Sequence, residues 1–274
     1  MKTKQTTSKN LTEKPREVGV QRIVRHLDLF SGIGGFALAA QWVGGIETVG
    51  FCEIDEWAKK VLNKNFPGVQ IHDDVKTLDP KNYGRIDLVT GGYPCQPFSH
   101  AGKREGANDD RHLWPELFRI IKSARPRMVL CENVDGHVSL GLDEVLSQLE
   151  GEGYSTEPII IPACAVGAIH RRERVWIIAY DRRLRIQRDE PETIQGIKAL
   201  QRGEDGGEAK SIRRMPALPS SQLCGSGDGI PNRVDRLRGC GNAIVPQVAA
   251  DILHVIMIVD SNLQNSDDYT LDGL

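Results

Sequence analysis

The chain has 274 residues, a net charge of −2, and 39% hydrophobic and 26% charged residues, values typical of a soluble globular protein. This length allows one large domain with a smaller lobe, and no apolar run approaches the ~20 residues that a membrane span requires. Residues 1–20 are polar and lack the apolar centre of a secretory signal, so we expect a flexible tail and a cytoplasmic protein.

The six cysteines are widely and irregularly spaced, and no two of them form a CxxC pair. This spacing indicates reduced thiols, and we expect neither a metal site nor a disulfide scaffold. The chemistry of any one thiol therefore depends on its neighbours in the fold.

Short apolar stretches alternate with amphipathic ones from residue 23 onward. The short apolar stretches predict strands over 24–30, 47–53, 86–90, 128–132, 158–162 and 175–180. The amphipathic and longer stretches predict helices over 36–43, 55–65, 113–123, 142–151 and 245–259. Strands and helices that alternate in this way favour an α/β fold with a doubly wound sheet.

The alternating pattern stops between 182 and 232, where the chain is charged and rich in Gly, Pro and Ser. We interpret 182–232 as a small loop-rich lobe that follows a main domain at 21–181. Residues 233–260 would return to the main domain, and 261–274 would form a polar tail. Arginines cluster at 171–188, which indicates either a basic stripe that binds phosphates or a solvated charged surface.

One cysteine follows directly after a predicted strand. Gly91 and Gly92 end the strand, and Pro94 fixes the backbone before Cys95. In an open α/β sheet, ligands bind in the crevice outside the carboxyl ends of the strands, so Cys95 is placed to attack a substrate. On this peptide alone the alternative, a thiol packed in the core, stays open.

A glycine-rich turn from Ser31 to Ala37 lies between the first predicted strand and the first helix, where small residues let the backbone approach a ligand. Glu53 ends the next strand, and a carboxylate there can accept hydrogen bonds from both hydroxyls of a ribose. Together the two features predict an adenosine-containing cofactor. They do not distinguish a nicotinamide cofactor from other nucleosides.

Further polar groups are predicted at the same edge of the sheet. Glu132 closes a strand and would bring an acid near Cys95, unless it serves as a capping or salt-bridged residue. Arg172 and Arg174 precede the last predicted strand and, as alternate residues, would project their guanidinium groups to one face. Asn242 and its neighbours precede the last helix and offer amide groups to a ligand, or cap that helix.

In their order along the chain, these segments resemble the motifs of the DNA cytosine-5 methyltransferase family. The resemblance covers nearly all of 27–259 and includes Asp28 to Gly35, Glu53, Asp74-Val75, Gly92 to Ser99, Glu132-Asn133-Val134, Arg172-x-Arg174 and Gly241-Asn242-Ala243. The shared order of several motifs, rather than any one of them, supports the resemblance. It implies a Rossmann-like, S-adenosylmethionine-dependent methyltransferase domain with a small loop-rich target-recognition lobe.

The resemblance also implies a role for each matching residue. Cys95 would add to carbon 6 of a cytosine flipped out of double-stranded DNA, and Glu132 would bind the N3 atom of that base. Arg172 would contact the O2 oxygen, and Arg174 would support the site or a phosphate. The residues that would bind the cofactor are Phe30, Gly32, Gly34, Gly35, Glu53, Ile54, Asp74, Val75, Tyr93, Asn242 and Ala243. The expected DNA contacts lie in or near a loop that would close over the duplex, and they are Gln96, Ser99, Lys103, Arg104 and Arg111.

The sequence departs from the family pattern in two places. His170 stands where the family usually has glutamine, and histidine can also donate a hydrogen bond. The predicted recognition region, 182–232, is short for the family. Similar compact enzymes accompany bacteriophages or prophages, which favours a phage-borne or orphan DNA-modification role for a chain that we expect to act as a monomer.

Other functions remain open. An RNA cytosine-5 methyltransferase of the same architecture would act on a transfer-RNA loop, but the Gln-Pro-Phe-Ser continuation after Cys95 favours DNA. A nicotinamide-dependent oxidoreductase would use the glycine-rich turn and leave Cys95 and Glu132 without a purpose. A zinc deaminase would need HxE and CxxC motifs, which do not accompany Cys95. A DNA-binding protein without catalysis would not need the thiol and the acid.

Overall fold

The computed structural model describes residues 22–94, 113–139, 141–183, 235, 239 and 241–267. The strands in these ranges are β1 (Val24–Leu29), β2 (Ile46–Cys52), β3 (Gln70–His72), β4 (Leu88–Gly91), β5 (Met128–Val134), β6 (Tyr154–Pro162) and β7 (Glu173–Asp181). The helices are α1 (Gly35–Val43), α2 (Glu56–Asn65), α3 (Trp114–Ala124), α4 (Leu142–Gly151) and α5 (Pro246–Asp267). Short 3-10 helices lie at Pro80–Tyr83, Asp135–Ser139 and Ala163–Val166.

The strands form one sheet in the order β3-β2-β1-β4-β5-β7-β6. Strands β1 to β5 run parallel to their neighbours, whereas β7 runs antiparallel between β5 and β6. The chain changes direction across the sheet between β1 and β4, and a crevice is expected outside the ends of these strands. Because β7 is antiparallel, its first residues meet the carboxyl end of β5, where Arg174 lies opposite Val134.

Helices cover both faces of the sheet, as the alternating pattern predicts. On one face, α1 and α5 share a buried cluster that includes Phe36, Leu253 and Ile256, and the Phe36 ring meets Trp176 of β7 edge-on at 6.1 Å. On the other face, α3 and α4 bury side chains such as Leu117 against the sheet. The core therefore consists of two apolar layers, which confirms the doubly wound α/β prediction.

The predicted strands and helices are all present, with ends shifted by a few residues. Strand β3 was not predicted because it is only three residues long and partly exposed. Strand β6 begins at Tyr154, earlier than predicted, because exposed polar residues interrupt its apolar pattern. The predicted tail at 1–20 and most of the predicted lobe at 182–232 lie outside the described residues. No helix in the described ranges is long and apolar enough to cross a membrane.

Two expectations about the C-terminal half need correction. Helix α5 continues to Asp267, past the predicted start of the tail at 261, because no glycine or proline ends it earlier. Asp260 is buried and pairs with Arg127 at 2.8 Å. The arginines at 171–188 do not form one stripe where they are described: Arg174 begins β7, and Arg182 follows its end, roughly 27 Å away at the usual strand rise.

A buried row of polar side chains crosses three strands beneath the crevice. His26 contacts Thr48 through Nδ1 at 2.9 Å and Thr90 through Nε2 at 2.7 Å, and the Thr90 hydroxyl donates to Asp28 Oδ1 at 2.7 Å. Because that hydroxyl has one proton, His26 Nε2 must be the donor to Thr90. Burial raises the pKa of Asp28 to about 7 and lowers the pKa of His26 to about 3. The row therefore tends to bury an uncharged acid beside an uncharged imidazole.

Replacing Asp28 with Asn should change how stability depends on pH. The stability that uncharged Asp28 contributes is lost as pH rises from about 4 to about 7. The stability that uncharged His26 contributes is lost as pH falls below 6.5, the ordinary pKa of histidine. In the wild type, Asp28 and His26 therefore change the free energy of unfolding in opposite directions where these two pH ranges overlap. Asp28→Asn keeps a hydrogen-bond acceptor for Thr90 but removes the pH dependence that Asp28 causes. The free energy of unfolding of the variant should therefore fall in acid by up to roughly 1.4 kcal/mol per pH unit.

Denaturant unfolding of the wild type and Asp28→Asn at pH 5, 6, 7 and 8 measures both slopes. Above pH 7 the variant should be the more stable protein, by at most roughly 4 kcal/mol for a three-unit shift. If the free energy of unfolding of the two proteins changed with pH in parallel, Asp28 would not be protonated in the folded protein.

Candidate active site

A cavity of about 460 Å³ opens at the carboxyl edge of the sheet. Its walls come from the segments that follow β1 to β5, from the residues that begin β7, and from the segment before α5. Many of the predicted site residues lie in these walls: Phe30, Gly32, Glu53, Ile54, Asp74, Val75, Tyr93, Glu132, Arg172, Arg174 and Asn242. A volume of this size suits a ligand of nucleoside dimensions or larger.

The glycine-rich turn shapes one wall through backbone conformations that most residues avoid. Phe30 and Gly32 have φ values of 54° and 52°, and both line the cavity. Gly34 and Gly35 are not among the residues that line it. A Cβ on Gly34 would lie 2.5 Å from Phe66, and one on Gly35 would lie 2.6 Å from Ile244. These two glycines therefore let α1 pack closely against its neighbours.

Glu53 lies at the end of β2, and two backbone amides fix its carboxylate. Gly32 N–H donates to Oε2 at 2.7 Å, and Asp55 N–H donates to Oε1 at 2.8 Å. Each carboxylate oxygen can still accept a further hydrogen bond. The arrangement therefore leaves Glu53 able to bind the hydroxyls of a ribose while it joins the turn after β1 to the start of α2.

Cys52 also lines the cavity and is the thiol there that the structure describes. Burial, together with the nearby carboxylates of Glu53, Asp74 and Asp73, raises the pKa of Cys52 to about 12. A thiol reacts as its thiolate, so Cys52 stays unreactive at neutral pH. It is a wall of the cavity and not a rival nucleophile.

The acid at the end of β5 is held by an arginine of β7. Glu132 Oε1 accepts a hydrogen bond from Arg174 Nε at 2.9 Å, and the glutamate is only 8% exposed. Burial raises the pKa of Glu132, and the charges of Arg174 and Arg172 and the Arg174 hydrogen bond oppose that shift. The carboxyl group is thus kept closer to its protonated form than an exposed glutamate.

Arg172 lines the same cavity as Arg174 but lies outside the strand. It precedes β7 with a φ of 37°, a left-handed conformation that is unusual outside glycine. Its Nη2 donates to the carbonyl oxygens of Gly241 at 2.7 Å and Ala243 at 2.8 Å. Both protons of Nη2 are thereby used, so a contact with a substrate oxygen would have to come from Nη1 or Nε. Ala243 takes part through this carbonyl and is not among the cavity-lining residues.

The turn after β4 brings Tyr93 and Pro94 to the cavity wall. The Tyr93 ring is buried, and its hydroxyl forms a hydrogen bond with His137 Nε2 at 2.7 Å. Cys95 follows directly but lies outside the described residues, as do the expected DNA contacts Gln96, Ser99, Lys103, Arg104 and Arg111. His170 is described and is exposed at the surface.

Several cavity residues were not predicted from the sequence. Asp55 caps α2 by accepting from Trp57 N–H and Ala58 N–H, and Trp57 packs so closely on the chain that a Cβ on Gly239 would lie 2.5 Å from its ring. Asn133 donates to the carbonyl oxygen of Tyr93 at 3.2 Å. The Asp-Glu-Trp sequence was a recognisable helix start, but nothing local showed that Trp57 meets a segment so distant in the chain.

The strand order, the glycine-rich turn after β1 and the carboxylate at the end of β2 define a Rossmann-like α/β domain. The profile of the C-5 cytosine-specific DNA methylase family matches residues 24–222, and the chain belongs to this family.

Curated relatives in bacteria are similar over somewhat more than half of the chain. The type II methyltransferase M.HgiCII of Herpetosiphon aurantiacus is 38% identical over 168 residues, which are 58% of this chain and 38% of that protein. The type II methyltransferase M.HhaI of Haemophilus parahaemolyticus is 33% identical over 169 residues, which are 60% of this chain and 51% of that protein. The chain thus spans about half or less of the length of these relatives.

Two solved structures show related folds. A protein described as a DNA modification methyltransferase encoded within an E. coli prophage is 29% identical, with a TM-score of 0.50 over 60% of this chain and 48% of that one. A DNMT2 mutant of Spodoptera frugiperda has a TM-score of 0.61 over 85% of this chain and 99% of that one, at 17% identity. The second similarity supports the fold alone.

Arg172→Met should weaken binding of S-adenosylhomocysteine, the product form of the cofactor that family membership implies. The variant loses both hydrogen bonds to the segment around Asn242, which forms part of the cavity wall. Isothermal titration should show an affinity about tenfold lower, the usual scale for lost charge-assisted hydrogen bonds.

Arg171→Met is the matched control, because the Arg171 side chain is 80% exposed and pairs with Glu173. Equal affinities of Arg172→Met and Arg171→Met would contradict the role assigned to Arg172.

Proposed function

We propose that this protein methylates carbon 5 of cytosine in double-stranded DNA. The observation that supports this most directly is the paired acid Glu132 at the wall of the same cavity that contains Glu53 and the glycine-rich turn. An acid for a base and a carboxylate for a ribose at one cavity suit a reaction between a nucleobase and a nucleoside cofactor. Membership of a DNA methylase family favours DNA over transfer RNA as the substrate.

The residues around Glu53 fit S-adenosylmethionine. The carboxylate with its free acceptor capacity would bind the ribose, and Ile54, Val75 and Phe30 supply apolar wall for an adenine. Asp74 would accept from the exocyclic amine. When bound, the cofactor supplies an electrophilic methyl group.

Cys95 is the proposed nucleophile. Carbon 5 of cytosine is a poor nucleophile until the Cys95 thiolate adds to carbon 6 and its electron pair moves into the ring. Carbon 5 can then form a bond to a methyl group. Loss of the proton from carbon 5 and elimination of the Cys95 thiolate restore the aromatic ring.

Glu132 would stabilise the adduct at the N3 atom. Adding the thiolate places negative charge on N3, which a protonated carboxyl can neutralise by donating its proton. The raised pKa of Glu132, caused by its burial, favours the form that donates. Arg174 holds one oxygen at 2.9 Å and so orients the other oxygen.

The target cytosine has to leave the base stack, because carbons 5 and 6 are covered inside a duplex. A flipped base would enter the crevice between the turn after β4 and the end of β5. The type II relatives support a modification role beside a restriction enzyme, and the prophage neighbour supports a phage-borne role. Action as a monomer and target recognition by residues 182–232 belong to the same proposal.

Bisulfite sequencing of DNA from cells that express the chain tests this function. We expect 5-methylcytosine at a fixed sequence context in cells with the wild type, and none above background with Cys95→Ser, because an alcohol at this position is a far weaker nucleophile at neutral pH. Methylation that persists with Cys95→Ser would remove Cys95 from the mechanism. Transfer RNA from the same cells provides the comparison substrate.

Glu132→Gln should slow the reaction without loosening the cofactor. The amide keeps the size of the side chain but cannot deliver a proton, so kcat should fall about 10²- to 10⁴-fold. A duplex with 5-fluorocytosine at the target position should trap wild-type protein covalently, since fluorine cannot leave as a proton does. The rate of trapping should fall with Glu132→Gln, whereas the affinity for S-adenosylhomocysteine should stay unchanged.

Glu152→Gln is the control for this experiment. Glu152 is also ion-paired, with Lys122 at 2.8 Å and Arg125 at 3.0 Å, but it does not line the cavity. If both glutamine variants trap the duplex as fast as the wild type, Glu132 has no part in forming the adduct.

A further inference from the structure

A buried hydrogen bond joins the turn after β4 to the turn after β5. The Tyr93 hydroxyl and His137 Nε2 are 2.7 Å apart, and the two residues are 4% and 8% exposed. Tyr93 lies just past the end of β4, and His137 lies in the 3-10 helix Asp135–Ser139 that follows β5. The bond therefore joins the chain that leads into Cys95 to the chain that leads out of Glu132.

A second hydrogen bond fixes the backbone of the same residue. Asn133 Nδ2 donates to the Tyr93 carbonyl oxygen at 3.2 Å, and Asn133 Oδ1 accepts from Val134 N–H at 2.9 Å. The segment 133–137 thus holds Tyr93 at its main chain and at the tip of its side chain. Two contacts this far apart on one residue restrict both its position and its rotation.

The rings around this bond are closely packed. The Tyr93 ring lies 5.2 Å from the Trp114 ring and meets the His137 ring edge-on at 5.5 Å, as measured between ring centres. On the His137 side, a Cβ added to Gly141 would lie 3.1 Å from Cε1 of the imidazole. Because the imidazole has little room to move, it can act as a fixed anchor for the tyrosine.

The geometry of the proposed reaction depends on this turn. A Cβ added to Gly92, next to Tyr93, would lie 3.4 Å from Glu132 Oε2, so the turn and the acid are in direct proximity. Cys95 is two residues beyond Tyr93, and its Cα can lie no more than roughly 7 Å from the Tyr93 Cα. A shift of Tyr93 would therefore move the point from which the chain continues to Cys95.

We propose that His137 is a positioning residue, which holds the turn that carries Cys95 in register with Glu132 through its hydrogen bond to Tyr93. The proposal rests on the proposed function and adds to it a residue that is not among those lining the cavity. A displacement of about 1 Å in a reacting group can slow catalysis about 10²-fold. The expected signature is a loss in kcat with the affinity for cofactor unchanged.

Four variants test the proposal by single-turnover methylation, S-adenosylhomocysteine titration and thermal unfolding. Tyr93→Phe and His137→Leu each remove the hydrogen bond, and each should lower kcat about 10- to 100-fold with unchanged cofactor affinity. In the double variant, the loss of kcat should be smaller than the product of the two single losses, because both changes remove the same hydrogen bond. His137→Gln should restore most of the rate, since its terminal amide can occupy the position of Nε2.

Gln148→Met is the matched control. Gln148 Oε1 accepts from the Trp114 indole N–H at 2.8 Å, and Gln148 Nε2 donates to Glu144 Oε1 at the surface. The variant therefore removes a hydrogen bond from the same cluster, and one exposed hydrogen bond, without changing Tyr93. It should lower the melting temperature about as much as Tyr93→Phe and leave kcat unchanged. A kcat of Tyr93→Phe equal to that of Gln148→Met, or no rescue by His137→Gln, would overturn the positioning role. An inactive wild type would instead refute the proposed function itself.

Discussion

A carboxyl group buried beside two arginines sets the geometry of the whole site. Glu132 is at the end of a parallel strand, where a charge withdrawn from water has to be paired or neutralised. Arg174 can reach it only because β7 runs antiparallel to β5 and begins at the carboxyl edge of the sheet. The reversed strand thus brings the partner of the acid to the same side as the crevice. With a parallel β7, its first residues would lie at the opposite edge.

Hydrogen bonds made by Glu53 and Arg172 connect the backbone segments that form the cavity walls. Glu53 links the turn after β1 to the start of α2 by accepting from Gly32 and Asp55, and Arg172 links the start of β7 to the segment before α5. Groups that would touch a cofactor and groups that would touch a base therefore share a single framework. A disturbance on one side changes the other, because the same backbone segments form both walls. This coupling suits a reaction in which two ligands must meet at one atom.

The sequence predicted the features of the fold that depend on short-range pattern. Glu53, Glu132 and the turn before Cys95 could be placed at one edge, because parallel strands bring their carboxyl ends together. The orientation of Arg172 could not be predicted, because it arises from a left-handed backbone conformation outside the strand. Strand β3 is too short to show a pattern.

Contacts between distant segments were also beyond prediction. Whether Tyr93 meets His137 depends on the register of β4 against β5 and on the path of the turns that follow, and neither is set by neighbours in sequence. The packing of Trp57 against Gly239 likewise joins segments that are distant in sequence. For Gly34 and Gly35 the structure adds a second reason for glycine, since an added Cβ would collide with Phe66 or Ile244, and their role toward a ligand stays a prediction.

Three carboxyl groups at this end of the sheet differ in burial and in hydrogen-bond partners, and each environment suits a different role. Asp28 is enclosed beneath the crevice, and burial raises its pKa to about 7, which suits it to structural hydrogen bonding in uncharged form. Glu53 lines the open cavity and accepts hydrogen bonds from two backbone N–H groups, which fix the position of its carboxylate oxygens. Glu132 is between these extremes, since burial raises its pKa and adjacent guanidinium groups restrain the shift. A carboxyl group balanced in this way suits the proton donation to N3 that we propose for Glu132, a task for which the fully enclosed Asp28 has no access to the cavity.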